Sequence, residues 1–250
     1  MAGFKAAFVN ETVKLLKKKK LIAAAVLSVL GVLIGQATVT AIQAGFGLRI
    51  TGSEEFPLLV LPVFTYTILP LFTTFVAIDM FNGEFNAGTM KLSLTRPVSR
   101  FGVFSAKVGN IAAFILLNLL FIMLVALVAG YIFNPSSTGL AGVLRVILAY
   151  VVTFVPIFVF ALLVVLLCNL IRSGLAVFFL SVLLFVGFIA LGILYSRLSS
   201  FLFTSQLNWY TLWISDTVNV SKLVRQTLLL TGGGIMLFTA GYYLFDRKDL

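Results

Sequence analysis

Along this chain, apolar and polar positions change places over tens of residues rather than over single helical turns. Apolar runs lie at about 21–46, 57–81, 104–133, 143–171, 174–195 and 226–245. Each is near or above the roughly 20 residues a helix needs to cross the hydrocarbon of a bilayer. The pattern predicts six transmembrane helices. The third and fourth runs are long enough to tilt or to project from the membrane. Only Arg172-Ser173-Gly174 separates the fourth from the fifth. The first twenty residues follow a different pattern. At helical spacing Phe4, Phe8 and Leu15 share one side, with Val9, Val13 and Leu16 adjoining. Asn10, Lys14, Lys17 and Lys18 lie opposite, so an amphipathic helix at the membrane surface is expected. Pro62 and Pro70 are expected to kink the second span, and Pro156 the fourth.

Composition agrees with this reading and removes its main competitor. The 250 residues are 61% hydrophobic and 10% charged, whereas a soluble domain carries about 25% charged residues. The fold class is therefore an all-α integral membrane protein. It has one domain, with an interface helix at 1–20 and a six-span bundle at 21–250. Charge then sets its orientation. Lys5, Lys14, Lys17 to Lys20, Lys91, Arg96, Arg100, Lys107, Arg172, Arg247 and Lys248 fall on the side of the N-terminus. Arg49, Arg145, Arg197, Lys222 and Arg225 fall on the other, which accounts for all 18 basic residues. The positive-inside rule puts both termini in the cytoplasm of a plasma-membrane protein. The net charge of +10 flanks apolar spans, so anionic lipid head groups, not nucleic acid, are its expected counter-charge. The apolar run from Leu21 is too long for a cleaved leader and reads as the first span. Cys168 lies inside an apolar run and reads as packing.

Several chemistries are missing. There is no His and one Cys, which removes the commonest general base and any Cys-rich metal site. No phosphate-binding loop with its Lys is present, and the Gly-rich "TGGGIMLFTAG" lacks that Lys. No catalytic residues or metal ligands are expected. The span interiors hold essentially no acidic residue, and Asp79 falls at the inner end of span two. An ion-coupled transporter places charge along its path, so any transport is expected to draw its energy from outside the chain. Neutral polar residues do occur within the spans. Gln36, Thr40, Gln43, Thr65 and Asn118 either line a pathway or hydrogen-bond between helices. Gly31 and Gly35 form a G-x-x-x-G pair suited to close helix contact, within the chain or with a second membrane subunit. The outer segment at 196–225 is rich in aromatics, including Trp209, Tyr210 and Trp213. It is expected to form short helices on or in the outer leaflet, as an anchor or as a gate.

One polar block remains, the cytoplasmic loop at 82–103. Glu84, Gly88, a Pro between two arginines, and the handles Phe81 and Phe85 exceed what a topology anchor needs. This composition suits docking into a partner's groove. The run from Glu84 through Gly88-Thr89 to Arg96-Pro97 and Arg100, followed by Ala106-Lys107, resembles the corresponding loop of ABC type 2 transporter permeases. The closing "AGYYLFDRKDL" is similar to that family's C-terminal end. The resemblance implies a non-catalytic membrane subunit of an ATP-driven exporter. It also implies two ATP-binding-cassette ATPase subunits and a second permease subunit, identical or not, as partners. Cofactors would be absent from this chain, with ATP and Mg on the ATPase. By the same resemblance Phe81, Glu84, Phe85, Gly88, Thr89, Arg96, Pro97 and Arg100 lie at the ATPase-coupling contact, and Lys107 at the membrane edge of span three. The apolar interior favours an amphipathic or hydrophobic cargo such as a peptide or antibiotic. A self-sufficient secondary transporter and a non-transporting scaffold are the alternatives.

Overall fold

The computed structural model describes residues 2–47, 51–88, 99–136, 139–195, 201–215, 217 and 219–248. Among them 86% are helical and no strand occurs. The elements are α1 (Ala2–Leu16), α2 (Lys19–Phe46), α3 (Glu55–Tyr66), α4 (Ile68–Met80), α5 (Asn82–Asn86), α6 (Arg100–Phe133), α7 (Leu140–Leu170) and α8 (Gly174–Leu194). A 3-10 turn at Phe203–Gln206, α9 (Tyr210–Ile214) and α10 (Val220–Asp246) complete the chain. Six stretches are long and apolar enough to span a membrane: α2, Ile68–Asn86, α6, α7, α8 and α10.

Local chemistry sets the helix ends. Ser99 caps α6 by accepting from the Gly102 amide at 3.1 Å, and Asn219 caps α10 by accepting from Lys222 at 3.1 Å. That cap starts the sixth span at Val220, six residues before its apolar core begins. Gly47, at φ 65°, closes α2 with its amide on the Gln43 carbonyl, a conformation that favours glycine. With 34 residues, α6 is about 50 Å long at 1.5 Å per residue. It therefore exceeds a hydrocarbon layer of about 30 Å and projects beyond it.

The second span is interrupted, not merely kinked. Pro70 has no amide hydrogen to offer the Tyr66 carbonyl, and its ring crowds that carbonyl. The chain leaves the helix at Thr67 (φ −126°, ψ −85°) and resumes at Ile68. The Thr67 hydroxyl donates back to Val63 O at 2.5 Å, and the Thr67 amide donates to Phe64 O at 3.3 Å. Pro62 and Pro156 sit inside continuous helices.

Packing centres on α7, the most buried of the spans, while α2, α8 and α10 bury the least. Their outer faces are apolar, as with Ile34 on α2, Leu183 on α8 and Met236 on α10. The glycine pair of span one is used within the chain. A Cβ on Gly31 would meet Phe64 Cζ at 2.7 Å, and one on Gly35 would touch Val60, so Gly31 makes room for the Phe64 ring reaching over from α3. The aromatic segment after α8 folds into the bundle rather than lying on it. Trp209 and Leu207 are buried, and the Trp209 indole N–H donates to Val152 O at 3.1 Å. Phe203 stacks on Phe160 and meets Phe188 edge-on. The Tyr66 hydroxyl donates to Thr204 O at 3.5 Å, so this segment reaches the break in the second span.

Candidate functional site: a closed charge ring at the basic end

Four charged side chains from three elements meet where α1 crosses the bundle. Glu11 and Lys14 come from α1, Glu84 from α5 and Lys107 from the second turn of α6. Each lysine bridges both carboxylates, and each carboxylate gives one oxygen to each lysine. Lys107 Nζ is 2.9 Å from Glu11 Oε2 and 2.7 Å from Glu84 Oε2. Lys14 Nζ is 2.8 Å from Glu11 Oε1 and 2.9 Å from Glu84 Oε1. The ring is closed and neutral. Lys107 is fully buried and the Glu11 residue is 4% exposed.

Such burial is costly unless every charge is matched, and here the matching is complete. Burial pushes the Glu11 carboxyl up, but Lys107 and Lys14 outweigh it, and the result lies below the ordinary 4.5. Burial pulls Lys14 down, but its hydrogen bonds to Glu11 and Glu84 outweigh it and hold it above 10.5. Neighbouring polar groups seat the same helix. The Thr12 hydroxyl donates to Asn110 Oδ1 at 2.7 Å, and Asn110 Nδ2 donates to the Phe8 carbonyl at 3.2 Å.

The fold explains the spacing of Glu84 and Gly88. Glu84 sits on a five-residue helix that continues span two after a bend at Phe81. Gly88 then takes φ 66°, and its amide donates to the Phe85 carbonyl. A residue with a Cβ pays about 1–2 kcal/mol for that conformation. One residue therefore fills the ring, and the other makes the turn that ends α5. Thr89, Arg96 and Pro97 lie outside the described residues.

An aromatic cluster backs the ring. Phe81 packs edge-on against Phe104 and Phe245, and Phe85 lies against Phe245. Phe101 meets Tyr242 edge-on at 5.2 Å. Arg100 donates to the carbonyls of Asp246 and Lys248, and Lys248 Nζ sits 3.9 Å over the Phe85 ring. Burial pulls the Lys248 amine below its ordinary value, with Arg172 adding to that and Cys168 opposing it. Asn82 Nδ2 donates to the carbonyls of Ile171 and Arg172 at 2.7 and 3.0 Å. The α7–α8 turn is thereby tied to α5. Lys18 and Lys20 both pair with Asp79, at 3.4 and 2.9 Å.

Of the residues singled out in the sequence, Phe81, Glu84, Phe85, Gly88, Arg100 and Lys107 come together here. Sequence reasoning missed Glu11 and assigned Lys14 to a solvated face. The available signal was a lone acid before residue 54, three positions ahead of a lysine on an otherwise basic helix. The neutral candidates lie elsewhere. Gln36 exchanges amide hydrogen bonds with Asn134 at 2.9 and 3.4 Å and donates to Thr40 at 3.2 Å. Asn118 accepts from Ser28 at 3.5 Å. The Thr65 hydroxyl donates back to the Pro62 carbonyl. The Gln43 amide nitrogen has no hydrogen-bond partner among the described residues.

A multi-span helical bundle with a buried ion ring at one end defines a polytopic membrane protein whose charge lies outside its apolar interior. Comparison with known families makes this more specific. A model of the ABC-2 family of transporter proteins matches residues 7–190, which take in most of α1, α5, the ring, the first four spans and most of the fifth. The chain belongs to the ABC-2 transporter family and is a membrane-spanning transport permease. No match is found among curated proteins.

Proposed function

We propose that this chain is the permease subunit of an ATP-driven exporter, with its basic end in the cytoplasm of a plasma-membrane protein. It pairs with ATP-binding-cassette ATPase subunits and a second permease subunit. The loop that follows α5, up to Arg100, is the ATPase contact, while Phe81 and Phe85 pack inward against Phe104 and Phe245 and seat it from behind. One observation carries this reading: the closed ring joins the helix that leads into this stretch to both α1 and α6. A push on the stretch moves Glu84, and Glu84 is fastened to Lys107 on span three and to Lys14 on α1. Movement of the partner is thereby delivered to the spans. The family membership and the absence of a phosphate-binding loop support an ATPase in a separate chain.

The pathway runs at an interface between two permease copies, lined by spans one, two and five. A mostly apolar cavity of about 270 Å³ at the break in span two, walled by spans two, four and five, supports the share of spans two and five in that lining. Tyr66, Thr67 and Thr74 give it a few hydroxyls, and Phe160, Phe185 and Val186 give it apolar wall. Such a lining suits an amphipathic or hydrophobic cargo, for example a peptide or antibiotic.

The test is capture of the full-length chain from its native membrane in mild detergent, with partners identified by mass spectrometry. An ATPase carrying a phosphate-binding loop is expected with the wild type and is lost with Glu84→Lys. Capture of other membrane complexes intact, but of no ATPase, would overturn the reading.

A further inference from the structure

Beneath α1 lies a mostly apolar groove, with Thr12, Asn110 and Asn118 as its polar members, apart from the four residues of the ring. It runs between α1, the start of α2 and the face of α6, with a volume of about 250 Å³. Leu16, Leu21, Ala25, Ala113, Leu117 and Phe121 line it. Its outer rim is open, since Leu16 and Leu117 are 60% and 64% exposed.

The groove sits beside concentrated positive charge. Lys17-Lys18-Lys19-Lys20 lies in sequence between two lining residues, Leu16 and Leu21. Lys18 and Lys20 are committed to Asp79. Lys17 and Lys19 are exposed and belong to no salt bridge among the described residues. A mostly apolar slot of about 250 Å³ with an exposed apolar rim, whose lining residues Leu16 and Leu21 flank two exposed lysines in sequence, has the chemistry to take an anionic glycerophospholipid. The chain would fill the slot, and the phosphate would meet the lysines.

We propose that this groove binds one anionic phospholipid from the leaflet at the basic end of the protein. Bound there, the lipid acts as a wedge under α1. Thr12, Leu15 and Leu16 of α1 border the groove, while Glu11 and Lys14 on the same helix form half of the ring. Filling the groove holds α1 in the position that closes the ring. The binding site stands on the groove and its charge alone. Its effect on coupling rests on the exporter reading.

The experiment is native mass spectrometry of the full-length protein, delipidated in detergent and then offered equal phosphatidylglycerol and phosphatidylcholine. Wild type is expected to retain one phosphatidylglycerol per chain, favoured on the order of tenfold. Lys17→Gln with Lys19→Gln is expected to abolish the preference while leaving a lipid bound. Ala113→Phe, which fills the slot, is expected to lose the lipid. A photoactivatable acyl chain on phosphatidylglycerol should label Leu117 and Phe121 in wild type, which reports occupancy even if a variant folds poorly. Equal retention of the two lipids by wild type, or labelling spread evenly over the outer faces of α8 and α10, would overturn the proposal. Co-purification of the ATPase is read on the same samples. Equal retention of the two lipids by the wild type with the ATPase still bound defeats the lipid site alone.

Discussion

Polar side chains tie span one's neighbourhood to span three at both ends of the bundle, but the two ends use different chemistry. At the basic end the tie is the ionic ring of Glu11, Lys14, Glu84 and Lys107. At the opposite end it is neutral. Gln36 and Asn134 exchange amide hydrogen bonds, the Ser53 hydroxyl donates to Asn134 O at 2.9 Å, and the Ser136 amide donates to Ser53 Oγ at 3.0 Å. Glu54 and Glu55 lie nearby, yet their carboxylates accept from the backbone amides of Gly139 and Gly52. Neutral bonds of this kind clamp helices modestly. A ring of full charges with Lys107 and Glu11 buried and Lys14 at its open side adds little net stability over an apolar replacement, but losing a buried member is severe. It therefore behaves as an all-or-none connector, and it sits where the chain leaves for the 89–98 stretch.

The comparison can be broken by mutation. Lys107→Met should have the largest effect, because it leaves two buried carboxylates sharing Lys14. A loss of about 3–5 kcal/mol is expected, read as a lower thermal midpoint of the purified protein. Neutralising the whole ring with Glu11→Gln, Lys14→Gln, Glu84→Gln and Lys107→Met should recover most of that midpoint but not transport. Gly88→Ala should cost about 1–2 kcal/mol and be confined to the exit from α5, visible as faster hydrogen exchange at Phe85 to Gly88. At the neutral end, Asn134→Leu with Gln36→Leu should change stability by about 1 kcal/mol or less and leave transport intact.

The smallest expected effect is of pH. Glu11 is held below 4.5 when folded, so its contribution is complete above that value and is lost as pH falls through its lowered pKa. Lys14 is held above 10.5, so its contribution is complete below that value and is lost only as pH rises through the raised one. Protection of α1 from proteolysis should therefore stay flat between about pH 5 and 10 and fall in acid. A step near neutral pH would mean that some other group seats the helix.

The spans, their number and the special character of the loop after span two were legible because they rest on composition and local motif. Hydropathy counts the spans, although the second qualifies over Ile68–Asn86 rather than 57–81 and the sixth begins at Val220 rather than 226, and Gly88 is marked by the glycine its backbone angle favours. The break at Thr67 was half legible. Pro70 announces a lost hydrogen bond, but so do Pro62 and Pro156, whose helices stay continuous. The ring was not legible. Glu11 and Lys107 are 96 residues apart, and no local pattern distinguishes a buried lysine from one at the membrane surface. The glycines of span one were equally ambiguous until Phe64 was seen against Gly31.

We propose that the ring carries motion from the ATPase to the spans. The most direct test is the distance between spin labels at Leu194 in two copies of the chain, with the ATPase complex in lipid nanodiscs, with and without ATP. The wild type should show an ATP-dependent change. The fully neutralised ring should bind the ATPase and show none. The same ATP-dependent change in the neutralised protein would contradict the account.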